Sequence, residues 1–369
     1  MTGKGKWGRV ISAAAALSAV AALTAGCSAG NASNSANSAL NSLPTNFGAP
    51  EKTVLNVGVV PAMDSAGFFI ALHDGLFAKE GLTIKYSPAV SSETAVAQQL
   101  KGKLDISGGN YVSYINEAAL DHQPIEFIAE GSIMQQGAQV IFTMPSSKIK
   151  SLSQLKGQLL GVNAPGNIDY LLDASVLAEN GINPSDVKFP KASDPAFTAT
   201  DGTIPFPDMA ADLAAGKIAA ATMPEPFASI AEQEYGAVPL ADLNQGATTD
   251  FPIEGYVVTK QWQQQNPNTL RRFLAALETG QEIADTNRAA VEEAFEALNG
   301  PQNGQVQPGI AAVMALDTYP IGVDQTRIQR VANVMYQFGL LKTKFDVQSM
   351  VLPASFFSFS QFSSSGSGS

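Results

Sequence analysis

The chain carries one strand–loop–helix unit in two copies. In residues 100–110, the end of a helical pattern is followed by a glycine, a short apolar strand and a glycine pair before Asn110. Residues 213–226 repeat this order and end with Glu225 between two prolines. A helix that ends at a glycine, followed by a strand and a new helix start, is typical of α/β folds. The duplication therefore predicts two similar α/β lobes.

A second pair of segments repeats the strand–loop–helix order. Residues 54–60 form an apolar strand before Pro61, and residues 159–162 form one before Asn163. Ligands of such sheets bind outside the carboxyl ends of the strands. We therefore expect four loops to face one another across a cleft, which is a binding architecture.

The order of strand-like and helical segments predicts largely parallel sheets and places the lobe boundaries. We expect the first lobe to comprise residues 53–144 and 248–355, and the second to comprise residues 145–247. The chain then crosses between the lobes twice. Two crossings form a hinge that permits closure around a ligand.

The beginning of the chain is typical of an exported protein. Basic residues precede an apolar run over residues 10–25, which is shorter than the ~20 residues that span a bilayer, so residues 1–26 are predicted to be a signal peptide. Cys27, the only cysteine, follows small residues as in a bacterial lipoprotein cleavage site, although Thr24 stands where leucine is commonest. We expect Cys27 to be lipidated; the alternative is a plain signal peptide with an incidental cysteine. Residues 27–52 and 356–369 are expected to form a flexible tether and a tail.

Residue usage argues against several other classes of protein. The net charge of −11 disfavours nucleic acid as a partner. The two histidines, His73 and His122, lie on separate predicted elements. They support neither a zinc site of three or four ligands nor a catalytic triad, and no nucleophile elbow on a strand–helix turn supports a triad either. We therefore expect no metal, no cofactor and no enzymatic activity.

Three stretches resemble the nitrate/sulfonate/taurine group of ABC-transporter substrate-binding proteins, a group that includes binders of thiamine-pyrimidine precursors. They are residues 71–82 (ALHDGLFAKEGL), residues 213–227, which end in Glu-Pro-Phe, and residues 266–273 (NPNTLRRF). The chain departs from the group at Ala219, where Asp is usual, and at Met223, where an aromatic residue often stands. The resemblance implies an α/β, two-lobed, type II periplasmic-binding-protein-like fold with two hinge crossings.

Candidate ligand contacts lie in the loops that open helices. Gly166 and Asn167 should begin a helix whose unpaired N–H groups and partial positive charge suit a carboxylate, a sulfonate or a polarised carbonyl. The alternative is that Asn167 only caps the helix. Gly109 and Asn110 follow the same logic in the first lobe, where a glycine pair lets a ligand approach the backbone or forms a simple tight turn.

The remaining candidates are side chains near the ends of predicted strands. Glu225, held between prolines, is expected to accept hydrogen bonds from an amine or amidine-like ring, or to brace the hinge, unless it is a solvated surface residue. Asp64 and Asn163 follow strands in the two lobes. Phe68 and Tyr256 are expected either to line the pocket or to fill the core.

Arginine usage narrows the class of ligand. No arginine occurs between Arg9 and Arg271, so the four loops contain no bidentate clamp for an anion. We therefore expect a small neutral, zwitterionic or cationic ligand rather than a simple oxyanion.

These observations together predict a monomeric, lipid-anchored solute-binding protein on the outer face of the cytoplasmic membrane. It would capture a small organic molecule and deliver it to an ABC importer permease. The alternatives are an enzyme that acts on a pyrimidine-like heterocycle on the same scaffold, and a sensory lipoprotein without a transport role.

Overall fold

The computed structural model describes residues 47–191, 202–298, 303, 306–353 and 356. The predicted signal peptide, Cys27 and most of the predicted tether and tail lie outside these residues. Among the helices in the described ranges, none combines the length and the apolar character needed to cross a bilayer.

The nine strands of the described residues form two mixed sheets. The first sheet has the order β2-β1-β3-β9-β4, and the second has the order β6-β7-β5-β8. The strands are β1 Val54–Val59, β2 Thr83–Pro88, β3 Ile106–Asn110, β4 Ile125–Ile133, β5 Gln139–Thr143, β6 Leu160–Gly161, β7 Ala220–Pro224, β8 Val238–Asp242 and β9 Pro252–Thr259.

One strand in each sheet runs against its neighbours. In the first sheet, β9 is antiparallel to β3 and β4; in the second, β5 is antiparallel to β7 and β8. Both strands are the first that the chain forms after it crosses from the other sheet. The chain leaves each sheet at the carboxyl end of its last strand, β4 or β8. It enters the other sheet from the same end, so the strand that follows runs antiparallel to its neighbours. The expectation of largely parallel sheets therefore holds except at the two crossings.

Twelve α-helices of the described ranges pack around the sheets. They are α1 Ala66–His73, α2 Leu76–Lys79, α3 Ser92–Leu100, α4 Tyr111–Ala119, α5 Ile168–Glu179, α6 Phe206–Ala214, α7 Phe227–Tyr235, α8 Lys260–Gln265, α9 Pro267–Thr286, α10 Arg288–Glu296, α11 Pro308–Ala311 and α12 Gln325–Gln337. The helix α9 lies along α1, where Gly67 has no room for a side chain because a Cβ would lie 2.5 Å from Gln281 Cγ. The C-terminal helices α9 and α12 thus return to the first sheet.

The structure shifts the first lobe boundary. The sequence analysis placed residues 139–143 in the first lobe, but β5 pairs with β7 and β8 and belongs to the second sheet. An apolar strand pattern shows that a strand is buried, not which sheet it joins. The first crossing therefore lies before Gln139 and not after residue 144.

The ends of the described chain are more firmly packed than predicted. Phe47 is buried, and its carbonyl accepts a hydrogen bond from Arg272. The Glu51 carboxylate accepts the backbone N–H of Thr269 in the first turn of α9, so residues 47–52 lie on the first lobe and are not a free tether. Phe356 is also buried in the core, although the sequence analysis assigned it to the tail.

Candidate functional site

A cavity of about 300 Å³ is lined by residues of both lobes. Its lining residues follow β1 and β2 in the first lobe and begin α6 and α7 in the second. They are Val60, Pro61, Ala89, Val90, Pro205, Phe206, Pro207, Asp208 and Phe227. This volume is at the lower end of the range that small-molecule sites occupy. The cavity lies at the edge where β1, β2 and β7 end, as predicted for the cleft.

Two aromatic rings form the second-lobe wall of the cavity. Phe206 and Phe227 are stacked, with ring centroids 5.4 Å apart and planes at 19°. Each is the first residue of its helix and follows a proline, which suits the first turn because proline lacks the N–H that would be unpaired there. A flat or apolar part of a ligand would pack well against this pair.

Asn163 connects the two lobes beside the cavity. Its side-chain Nδ2 donates to the carbonyl of Val90 in the first lobe (3.1 Å) and to the carbonyl of Ile204 in the second (3.0 Å). Its backbone N–H donates to Asp169 Oδ2 (2.9 Å). Asn163 was chosen as a ligand contact, and the structure places it within the cleft as an interlobe bridge.

Glu225 makes the second connection between the lobes. Its backbone carbonyl accepts the N–H of Met63 (2.8 Å), and its Oε1 accepts the N–H of Ala315 (3.1 Å). Both carboxylate oxygens also accept from Ser229, one from the hydroxyl and one from the backbone. Burial raises the pKa of Glu225 to about 7, although the Ala315 and Ser229 hydrogen bonds lower it. Glu225 thus joins the second lobe to two segments of the first lobe, and its predicted role in hinge bracing or ligand contact stays a prediction.

The helix α5 begins at Asn167 in the second lobe. Asn167 Oδ1 accepts the N–H of Tyr170 (3.3 Å), so the residue caps the helix. Gly166 has φ +70°, and no atom lies within 4 Å of the position that a Cβ would occupy. The Asp169 carboxylate, in the first turn, accepts from Asn163 and Asn167.

The corresponding position of the first lobe is closely packed. Gly109 and Asn110 are the last residues of β3, not a loop. A Cβ on Gly109 would lie 2.7 Å from Ser92 Cβ and 2.9 Å from the Tyr114 hydroxyl. Asn110 Oδ1 accepts the N–H of Ser113 and caps α4, while its Nδ2 donates to the Ser92 hydroxyl. The glycine therefore accommodates protein atoms where the sequence analysis expected a ligand.

Asp64 lies in a group of buried acids beside the first crossing. It accepts a hydrogen bond from Ser132 (3.4 Å), and Ser65 donates to Glu254. Burial raises the pKa of Asp64, and burial together with the charge of Asp64 raises the pKa values of Asp317 and Glu254 well above their usual range. Within the described ranges, no group of three or more His, Cys, Asp or Glu side chains is arranged to hold a metal ion.

Phe68 and Tyr256 lie in the core of the first lobe. Both side chains are buried, their ring centroids are 6.3 Å apart, and Tyr256 packs against Gly108. Neither is among the described residues that line the cavity. Their rings fill the space between the first sheet and α1, which is the core-filling alternative that the sequence left open beside the pocket wall.

Most of the residues that line the cavity were not predicted from the sequence. Phe206 and Asp208 lie in a Pro-Phe-Pro-Asp segment from which no site residue was predicted. The signal that could have found them is proline at the start of a helix. Phe227 was within the quoted Glu-Pro-Phe motif but was not selected. Val90 contributes its carbonyl and its apolar surface, and sequence alone gives no signal for either.

The comparisons with known proteins agree with this geometry. The model of the NMT1-like family matches residues 48–299, which is more than half of the chain. The chain belongs to the NMT1-like family. The resemblance to nitrate- and sulfonate-type substrate-binding proteins that the sequence indicated is thereby confirmed.

Individual relatives bind or transform different compounds. The nitrate/nitrite binding protein NrtA of Nostoc sp. is 25% identical over 261 residues, which make up 64% of this chain and 54% of that protein. This chain thus spans about half the length of the curated relative it matches. The structure of the alkanesulfonate-binding protein SsuA from Xanthomonas axonopodis pv. citri, bound to MOPS, has a TM-score of 0.65 at 15% identity and covers 82% of this chain and 98% of its own. The desulfurization enzyme DSZB has a TM-score of 0.60 at 17% identity and covers 83% of this chain and 98% of its own. These structural likenesses show the fold, which is the two-lobed type II fold that was expected.

Proposed function

We propose that this chain is a lipid-anchored, extracytoplasmic solute-binding protein that captures a small organic molecule between its lobes and delivers it to the permease of an ABC importer. The observation that carries the proposal is the cavity, whose walls come from both lobes at the edge where their strands end. The names of the nitrate- and alkanesulfonate-binding relatives support this class of function.

The proposed mechanism is closure around the ligand. The hydrogen bonds from Asn163 to Val90 and from Met63 to Glu225 can form only when the lobes are together. A ligand that touches both walls shifts the protein toward this arrangement by the contacts it makes only there. The closed protein then presents both lobe surfaces to the permease.

Enzymatic turnover is the second candidate, because DSZB is named as an enzyme and shares the fold. The described cavity lining contains no His, Cys, Ser or Lys side chain. His73 is exposed and lies beside Asp74, and His122 is also exposed. Asp208 is the one titratable residue of the described lining, and no His, Cys, Ser or Lys of that lining is present for it to activate or to be oriented by. These placements favour binding without turnover.

Membrane attachment is proposed from the sequence of the leader. Cys27 is the only thiol of the chain, and two or more acyl chains would hold the protein stably at a bilayer. We expect the full chain to fractionate with membranes and the Cys27→Ser variant to become soluble. A membrane-bound Cys27→Ser protein, or a mature N-terminus without lipid in mass spectrometry, would contradict the anchor.

The binding function is tested with the protein from its own cells. Native mass spectrometry of the full chain is expected to show one small organic molecule per chain, which is released unchanged. Deletion of the protein should abolish uptake of that compound. Phe227→Ala should weaken its binding about tenfold or more because the stacked wall is lost, whereas Tyr235→Ala, an exposed residue at the other end of α7, should leave it unchanged. Conversion of the compound by the purified protein, or normal uptake without it, would overturn the proposal.

A further inference from the structure

The charge around the cavity is acidic. Asp208 is the one charged residue among the described residues that line it, and the others are apolar. No arginine occurs in the second lobe. Its described lysines all lie on the surface and are Lys148, Lys150, Lys156, Lys188, Lys191 and Lys217.

Four helix starts near the cleft bind side chains of the protein itself, whereas α6, which begins in the cavity wall, has no side-chain cap. Ser91, Asn110 and Asn167 cap α3, α4 and α5. At α7, the Glu225 carboxylate accepts the N–H of Ser229. An oxyanion binds at a helix start through free N–H groups, and these ends offer fewer of them than the sequence suggested.

Asp169 places a carboxylate where such an anion would bind. The residue is 1% exposed, and its Oδ2 accepts the backbone N–H of Asn163 in the loop after β6. Its Oδ1 has no hydrogen-bond partner among the described residues. An unpartnered, buried carboxylate oxygen is costly unless a donor reaches it.

Glu93 faces the same region from the first lobe. It lies in the first turn of α3, three residues after Val90, whose carbonyl accepts the Asn163 side chain. Ser113 donates to Glu93 Oε1, while Oε2 is buried without a partner in the described part of the chain. Burial, together with smaller contributions from the charges of Asp64 and Glu93, raises the pKa of Asp169 to about 7. The hydrogen bonds of Asn163 thus join Asp169 to the Val90 carbonyl, three residues before Glu93, on the other side of the cleft.

We propose that the ligand is an organic cation, whose ammonium group lies between Glu93 and Asp169 and whose apolar body fills the cavity beside Phe206 and Phe227. This inference rests on the proposed binding function and names its ligand class. It fits the apolar lining, the acidic cavity mouth and the unpartnered oxygens on both sides of the cleft. It also separates this chain from the relatives that are named for anions.

A cation would couple binding to closure. Two carboxylates on opposite lobes repel each other when the cleft shuts, whereas an ammonium between them attracts both. The ligand would therefore make its strongest contacts only in the closed protein, which is the condition for driving a two-state change.

The test is a panel of compound triplets that differ in charge, measured on the soluble mature chain. Each triplet shares one apolar body and carries an amine, an alcohol or a carboxylate: 2-phenylethylamine, 2-phenylethanol and 3-phenylpropanoate, with cyclohexyl and n-hexyl counterparts. Thermal shift selects the body that binds best, and calorimetry then compares the three members. Nitrate and ethanesulfonate complete the panel.

We expect the amine to bind about tenfold or more tightly than the alcohol, since a charge-assisted hydrogen bond contributes about 1.5–3 kcal/mol, and the carboxylate to bind more weakly than either. Asp169→Asn keeps an oxygen for the Asn163 N–H, and Glu93→Gln keeps the acceptor for Ser113. Each should reduce the amine-to-alcohol ratio to about threefold or less. Asp212→Asn, on α6 and paired with Lys217 (2.6 Å), is the control and should leave the ratio unchanged.

The outcomes separate the two proposals. If a carboxylate, nitrate or ethanesulfonate binds best, or if amine and alcohol bind equally, the cation inference is wrong while the binding function stands. If no member of the panel binds to the folded protein, the cation inference fails, and the binding function is decided separately by the molecule found in native mass spectrometry. Because the triplets are compared on the unmodified chain, a variant that does not fold leaves the main comparison intact.

Discussion

The glycine–asparagine pairs before α4 and α5 look alike in sequence and behave differently in the structure. In the first lobe, Gly109 lies against Ser92 and Tyr114, and Asn110 is tied to Ser92 and Ser113. In the second lobe, a Cβ on Gly166 would meet no atom within 4 Å. The glycine of this pair is therefore closely packed before α4 in the first lobe, whereas space remains beside the glycine before α5 in the second lobe.

The difference shows what a glycine before a helix does and does not indicate. A glycine is required where a side chain would collide, and also where the backbone is left-handed. Gly109 satisfies the first requirement and Gly166, with φ +70°, the second. Neither requirement involves a ligand. The sequence pattern therefore locates the edge of the cleft but does not identify the atoms that contact the ligand.

The largest effect is expected from Gly109→Ala compared with Gly166→Ala. The first substitution forces a methyl group to 2.7 Å from Ser92 Cβ and should lower the free energy of unfolding by about 3 kcal/mol. The second incurs only the left-handed backbone strain of about 1 kcal/mol. Urea unfolding of both variants measures the difference. Equal losses in the free energy of unfolding would show that the two glycines are packed alike and would contradict the difference between the lobes.

A smaller effect is expected from the pH dependence of Asp169. An unfolded aspartate releases its proton near pH 4, whereas the folded residue has a pKa raised to about 7 by burial and by the charges of Asp64 and Glu93. The folded state therefore holds more protons between these values, and the free energy of unfolding falls as the pH rises through this window.

Asp169→Asn removes this contribution. Between pH 5 and pH 8 the loss of stability should be smaller in the variant by about 2 kcal/mol, measured by urea unfolding at both pH values. Asp212→Asn, which is paired with Lys217, serves as the reference and should retain the slope of the unmodified protein. A slope in Asp169→Asn as steep as in the unmodified protein would place the titrating group elsewhere.

The smallest expected effect separates the two helix caps. Asn167→Ala removes one cap and should cost about 1 kcal/mol. Asn110→Ala removes a cap and a buried hydrogen bond to Ser92, so it should cost about 1 kcal/mol more. Thermal unfolding of the two variants at one pH compares them. A larger loss at Asn167 would contradict the view that the first-lobe loop is the more tightly packed.

Much of the fold could be predicted from sequence because its signals are local. The start of α5 after Gly166 and Asn167 was predicted correctly, since glycine and asparagine mark helix ends. The assignment of β5 to a sheet was wrong, because pairing depends on contacts that are distant in sequence. The burial of Phe47 and Phe356 was missed because both lie in segments dominated by small polar residues.

The site was less predictable than the fold. Asn163 and Glu225 were selected and do lie between the lobes, but as hydrogen-bonded bridges. Phe206 was missed because an aromatic residue at a helix start has the same pattern whether it lines a cavity or fills the core. Asp169 was missed because an acid in the first turn of a helix is an ordinary stabilising feature.

The central claim, that the lobes close around a ligand, can be tested by a distance measurement between them. With Cys27→Ser the chain has no thiol, so Lys85→Cys on the first lobe and Lys188→Cys on the second, both exposed, can carry spin labels. We predict a broad distribution of distances in the free protein, and a single shorter distance when the tightest-binding amine of the panel is added. An unchanged distribution at saturating amine would contradict closure.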